Sequence, residues 1–202
     1  MSRQQRAKSN NNRPRPYGHK PLRESFLIFC EGATEVGYFG SFKKRAKFVP
    51  GGNALKIVQN AVAYKNAAEK KVDQYWAVFD KDETSDEQFG QAIELAKINN
   101  IRVAWSNQAF ESWIILHYRD FSHPCHRKDY ESMLRQFIPE YDVSEKGEEQ
   151  GRRLHLRTAS LLPTALANAK RGHTSLQLDV PDAQKQTSTL IYTLVEAILA
   201  QS

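Results

Sequence analysis

Ser25-Phe26-Leu27-Ile28-Phe29-Cys30-Glu31-Gly32-Ala33-Thr34-Glu35 is the stretch from which the fold is read. Its apolar half has no helical period and is bounded by charge, the pattern of a strand buried on both faces. Gly32 then lets the chain turn sharply. Thr34 is placed to cap a helix with Glu35 in its first turn, Val36, Phe39 and Phe42 among its apolar positions, and Lys43, Lys44 and Arg45 near its end. That helix is expected to reach about residue 47, leaving Phe48-Val49 as a strand stub before the Pro50-Gly51-Gly52 turn.

The same alternation continues outward. Asn53 is positioned to cap an alanine-rich helix over 54–71, and Tyr75-Trp76-Ala77-Val78-Phe79 reads as a second buried strand in which Tyr75 and Trp76 are core residues. A helix over 85–99, a strand over 101–105 and a mostly buried helix over 109–118 follow. Strands and helices at this spacing predict an α/β fold, a parallel sheet in three layers. Beyond Tyr118 the pattern is helical, with helices expected over 127–137, 158–170 and 184–200. The last carries Leu190, Leu194 and Ile198 on one face, expected to pack on the chain's own sheet, with contact to a second copy or a partner as the alternative. The division expected is a basic tail over 1–23, an α/β core over 24–120 and a helical region over 121–202 packed on it.

With 202 residues, 40% of them hydrophobic, the chain can bury a core of one ordinary domain. No apolar run approaches a membrane span and no leader pattern opens the sequence, so neither a membrane nor a secreted protein is expected. Two cysteines, Cys30 and Cys125, are too few for a disulfide scaffold, and a cytoplasmic location is the expectation. The net charge of +6 is concentrated in the tail: Arg3, Arg6, Lys8, Arg13, Arg15, Lys20 and Arg23 face no acid before Glu24, whereas the rest holds 22 basic and 23 acidic residues. Such a segment is expected to be disordered when free and to attract phosphate backbones; a solubilising tail is the plain alternative.

The chemistry is expected where the acids are. Ligands of open parallel sheets bind outside the carboxyl ends of the strands. Glu31 ends the first strand, Glu35 lies a turn later, and Asp80 and Asp82 end the second. Two apart in an extended segment, Asp80 and Asp82 would point to one side and share a hard cation such as magnesium; Asp82 as a mere helix cap is the alternative. Glu111 is a further carboxylate at the same edge, or simply a favourable residue at a helix start. Lys81 is a candidate phosphate contact. His117, His123, Cys125 and His126 lack a second spaced ligand pair, which favours structural or solvated roles over zinc.

Cys30-Glu31-Gly32-Ala33-Thr34-Glu35 with Val78-Phe79-Asp80-Lys81-Asp82-Glu83 resembles a Toprim domain, the metal-dependent catalytic module of topoisomerases, primases and overcoming-lysogenization-defect nucleases. More closely, the chain from about 24 to 196 resembles the RloB family of prokaryotic proteins. Tyr38-Phe39, Trp76, Ser106-Asn107, the run from Phe110-Glu111 through Trp113 to His117-Tyr118, and Thr187-Ser188-Thr189-Leu190-Ile191-Tyr192 carry that resemblance. Gln108-Ala109 departs from it, standing where a proline and a small residue are expected.

The resemblance implies a Toprim/Rossmann-like sheet. It implies Glu31 as metal ligand or general acid/base, Asp80 and Asp82 as the aspartates that hold Mg2+ (or Mn2+), and Glu35 as the second glutamate of the nuclease branch. It further implies a nuclease cleaving DNA or RNA, associated with restriction and phage-defence loci and acting with an ATPase partner. The rival expectation is a non-catalytic nucleic-acid-binding or regulatory module of such a system. A phosphoacceptor receiver domain fits less well, because there the acidic pair follows the first strand.

Overall fold

A computed structural model describes residues 24–201 except 70, 83, 121–124, 176–180, 182–183 and 186–187. The basic segment 1–23, with all seven of its candidate nucleic-acid contacts, and His123 lie outside the described residues. Four strands, β1 (Phe26–Cys30), β2 (Arg45–Phe48), β3 (Gln74–Asp80) and β4 (Arg102–Ser106), form one parallel sheet in the order β2-β1-β3-β4. Helices α1 (Ala33–Gly40), α2 (Ala54–Ala67) and α3 (Asp86–Ile98) connect them, and α4 (Glu111–Ile115), α5 (Tyr130–Arg135), α6 (Glu148–Thr158), α7 (Leu162–Ser175) and α8 (Ile191–Leu199) follow. The chain leaves β1 toward β2 on one side and returns to place β3 on the other, so the order reverses between β1 and β3.

The period-two alternation of the strands separates two cores. Phe26, Ile28, Cys30, Trp76, Val78 and Ala104 face α1 and the helices after β4, whereas Leu27, Phe29, Tyr75, Ala77, Phe79 and Trp105 face α2 and α3. All are buried, which is why β1 and β3 read as continuous apolar runs. Asn53 and Ser85 cap α2 and α3 by accepting from the N–H groups of Lys56 and Gln88. The apolar face of α8 (Ile191, Leu194, Val195, Ile198) is buried in the first core, as its spacing predicts. Among the described residues no helix is long and apolar enough to cross a membrane.

Four expectations need correction. The first helix ends at Gly40; Lys43 turns the chain with φ 59°, and residues expected to be helical become β2, paired in register from Leu27 with Arg45 to Cys30 with Phe48. Thr34 caps nothing: α1 begins after Gly32, and the Thr34 hydroxyl instead contacts Gln150 and accepts from the Gly147 N–H, both at 3.3 Å, joining α1 to α6. Gly32 has ordinary extended dihedrals, so the bend does not depend on glycine's conformational freedom; a Cβ there would meet only the carboxylate end of Glu35, 2.2 Å from its Oε2. The last helix starts only at Ile191, because 188–190 lies along β4: Ser188 O accepts from the Asn107 N–H, and the Leu190 N–H donates to Trp105 O. Helix α6 had no counterpart in the sequence reading.

Candidate functional site

The carboxyl ends of β1 and β3 flank the point where strand order reverses, and a cleft of ≈ 370 Å³ opens there. Glu31, Glu35, Asp80, Asp82 and Glu111 all line it, so the five carboxylates singled out from the sequence share one cavity. Glu31 follows β1 directly, its N–H bonded to Val78 O at 3.1 Å, and its Oε2 accepts from the Asp80 N–H at 3.0 Å. The two strand ends are therefore tied through the glutamate itself.

Glu35 and Glu111 reach the cleft from α1 and α4, which are locked together behind it. Trp113 Nε1 donates to the Tyr38 hydroxyl at 3.0 Å, that hydroxyl lies 3.3 Å from His117 Nε2, and His117 Nδ1 lies 3.0 Å from Trp113 O. Burial lowers the pKa of His117 to about 4, so it is a neutral core residue at ordinary pH. Cys125, by contrast, is bonded locally to Asp129, and His126 caps the short turn 127–129.

Crowding of acids dominates the electrostatics. Glu35 is raised to about 7 by burial, reinforced by Glu111 and Glu31. Asp80 is held well above the usual carboxylate range by burial, then by Glu35, Glu31 and Glu111. For Glu31, burial and Asp82 push upward, while the Asp80 N–H, Arg127 and Lys146 restrain the rise.

Asp82 departs from the extended geometry expected. It has φ 38°, its N–H bonds to Gln108 O at 3.1 Å, one carboxylate oxygen pairs with Arg127, and the other is buried without a hydrogen-bond partner. Lys81 points elsewhere: it donates to Thr84 O and pairs with Asp86 at 3.2 Å, and it is absent from the cleft lining. Arg127, Tyr141, Lys146 and Gln150 were not anticipated, yet all line the cavity, and the Tyr141 hydroxyl donates to Glu111 Oε1 at 2.9 Å. Gln108 supports the arrangement from both ends, since its side-chain oxygen accepts from the Arg127 N–H at 2.8 Å.

The five carboxylates are oxygen donors, the chemistry a hard divalent cation would require, and one Asp82 oxygen is buried without a hydrogen-bond partner. Among the described residues, however, no group of three or more His, Cys, Asp or Glu side chains is arranged to hold a metal ion. Arg127 occupies the place of a counter-charge at Asp82. Arg127→Gln is therefore expected to lower metal-free stability by roughly 1–3 kcal/mol. Asp82→Asn in the same background should restore most of it, as a double-mutant cycle from denaturant melts will show.

The profile of the family described as RloB-like protein matches residues 26–198. No curated protein and no solved structure gives a significant match.

Proposed function

The chain belongs to the RloB-like family, and we propose that its acidic cleft is the active site of a metal-dependent phosphodiesterase of the Toprim type, a nuclease acting on DNA or RNA. The observation that carries this reading is the convergence of five carboxylates with Arg127 and Lys146 at the β1/β3 switch point. Bound by Asp80, Asp82 and Glu35, with Glu111 behind, Mg2+ or Mn2+ would supply Lewis acidity and neutralise phosphate charge. Glu31, anchored by the Asp80 N–H and raised by burial, accepts the proton of the attacking water. Arg127 and the exposed Lys146 hold non-bridging phosphate oxygens. A role in phage defence or at a restriction-associated locus, with an ATPase partner, belongs to the same proposal.

The pairing of Arg127 with Asp82 favours a second reading, a regulatory or nucleic-acid-binding module that does no chemistry. Incubating labelled DNA and RNA with the protein in Mg2+, Mn2+ or chelator separates the two. Cleavage that requires the cation supports the enzyme; binding without cleavage in every condition supports the module.

A further inference from the structure

Between Glu35 and Glu69 the sequence contains six cations, Lys43, Lys44, Arg45, Lys47, Lys56 and Lys65, and no acid. Three of them lie on or beside β2, the sheet's edge strand, whose outer side pairs with no other described strand. Arg45 is exposed, Lys44 lies over the Phe26 ring and Lys47 over the Tyr64 ring, and none of the three is in an ion pair among the described residues. The strand ends on Phe48, which is 48% exposed although large and aromatic, lines the acidic cleft and pairs in register with Cys30, the residue before Glu31. Gly51 and Gly52 leave the cleft wall beside it without side chains.

We propose that the β2 edge is the track for a single-stranded nucleic acid, with Phe48 stacking on an unpaired base next to the phosphodiester in the cleft. A cationic strand attracts the backbone, and an exposed ring at its end has a face to offer a base. A duplex keeps its bases stacked inside and gains nothing from the ring. The proposal rests on the phosphodiesterase reading of the cleft and names the substrate form it takes.

The test uses full-length protein and 2-aminopurine-labelled oligonucleotides, as single-stranded DNA, single-stranded RNA and their duplexes, with Ca2+ in place of Mg2+ so that binding is read without turnover. The natural protein should prefer a single strand and quench the probe. Phe48→Ala should weaken single-strand binding about five- to a hundredfold and lose the quenching, while Phe48→Trp retains both. Arg45→Gln should reduce the log–log salt slope by about 0.7. Phe48 is half-exposed, so Phe48→Ala should melt cooperatively with only a small fall in midpoint, which verifies its fold. If Phe48→Ala binds and quenches like the natural protein, or loses duplex and single-strand affinity alike, the track is wrong. Should the natural protein still cleave nucleic acid in that event, the phosphodiesterase reading survives alone; a natural protein that neither binds nor cleaves overturns both.

Discussion

On the phosphodiesterase reading proposed above, Glu31→Gln is expected to reduce cation-dependent cleavage by about 10²- to 10⁴-fold, the range associated with losing a positioned general base. The amide keeps an oxygen that can accept from the Asp80 N–H, so the strand ends stay tied at their present spacing. What it cannot do is take a proton or present a negative charge. Rates should therefore fall in kcat with little change in the strength of substrate binding, because the lost interaction is made in the transition state. Single-turnover cleavage of the substrate identified in the DNA and RNA screen, with binding measured in parallel, checks both halves. An equal loss of affinity would instead mark Glu31 as a binding residue.

Gly151→Ala will destabilise the protein by roughly 3 kcal/mol, at the upper end of ordinary overpacking. A Cβ at 151 would lie 1.9 Å from Thr34 O and 2.6 Å from Tyr38 N, and one at Gly37 would lie 1.9 Å from Glu148 O. These are backbone atoms, and no rotamer change relieves the clash. Helices α1 and α6 must separate, stretching the Thr34 contacts to Gln150 and Gly147 and shifting Glu35, which α1 carries into the cleft. The melting midpoint should fall by about 6–12 °C for a chain of this size. Gly90→Ala is the control: its Cβ meets nothing within 4 Å in the middle of α3, so it should stabilise by about 0.5–1 kcal/mol.

That packing also shows why parts of the molecule were hidden in the sequence. Strands β1 and β3 were legible because burial on both faces writes itself into residue type, and Glu31 and Asp80 were legible as the acids that end them. Strand β2 was not, because Arg45-Ala46-Lys47 has no apolar pattern and becomes a strand only through pairing with β1. Helix α6 was missed for a related reason: it approaches α1 through glycines, and only Gln150, Gly151, Leu154 and Thr158 are buried along it. The roles of Arg127, Tyr141 and Lys146 depend on how the region after β4 folds over the cleft, and no local spacing records that. Tyr38, Trp113 and His117 were recognisable as a pattern without their purpose; together they fix α1 against α4 and so aim Glu35 and Glu111 at one cavity.

The crowded acids also set a pH dependence. Glu35 and Asp80 have folded-state pKa values above their unfolded ones, so the folded protein binds more protons and stability falls as pH rises through the folded values. His117 and His155, both lowered by burial, act oppositely, favouring stability as pH rises toward 6.5. The carboxylates are therefore isolated between about pH 6.5 and 8, where the mutually repelling Glu35 and Asp80 together lower stability as pH rises. Thermal melts across this window in chelator should show the decline, and Glu35→Gln should flatten it.

The most direct test of a cation-binding acidic cleft is the melting midpoint at pH 8 with chelator and with Mg2+ or Mn2+, for the natural protein and Asp80→Asn. A bound cation stabilises only the folded state, by about 2.7 kcal/mol at a hundred times its dissociation constant. The predicted result is a clear cation-dependent rise in the natural protein and its near disappearance in Asp80→Asn, which should itself melt no lower than the natural protein in chelator, since it removes one repelling charge. A natural protein whose midpoint ignores both cations, or an Asp80→Asn variant that retains the full rise, would contradict the account.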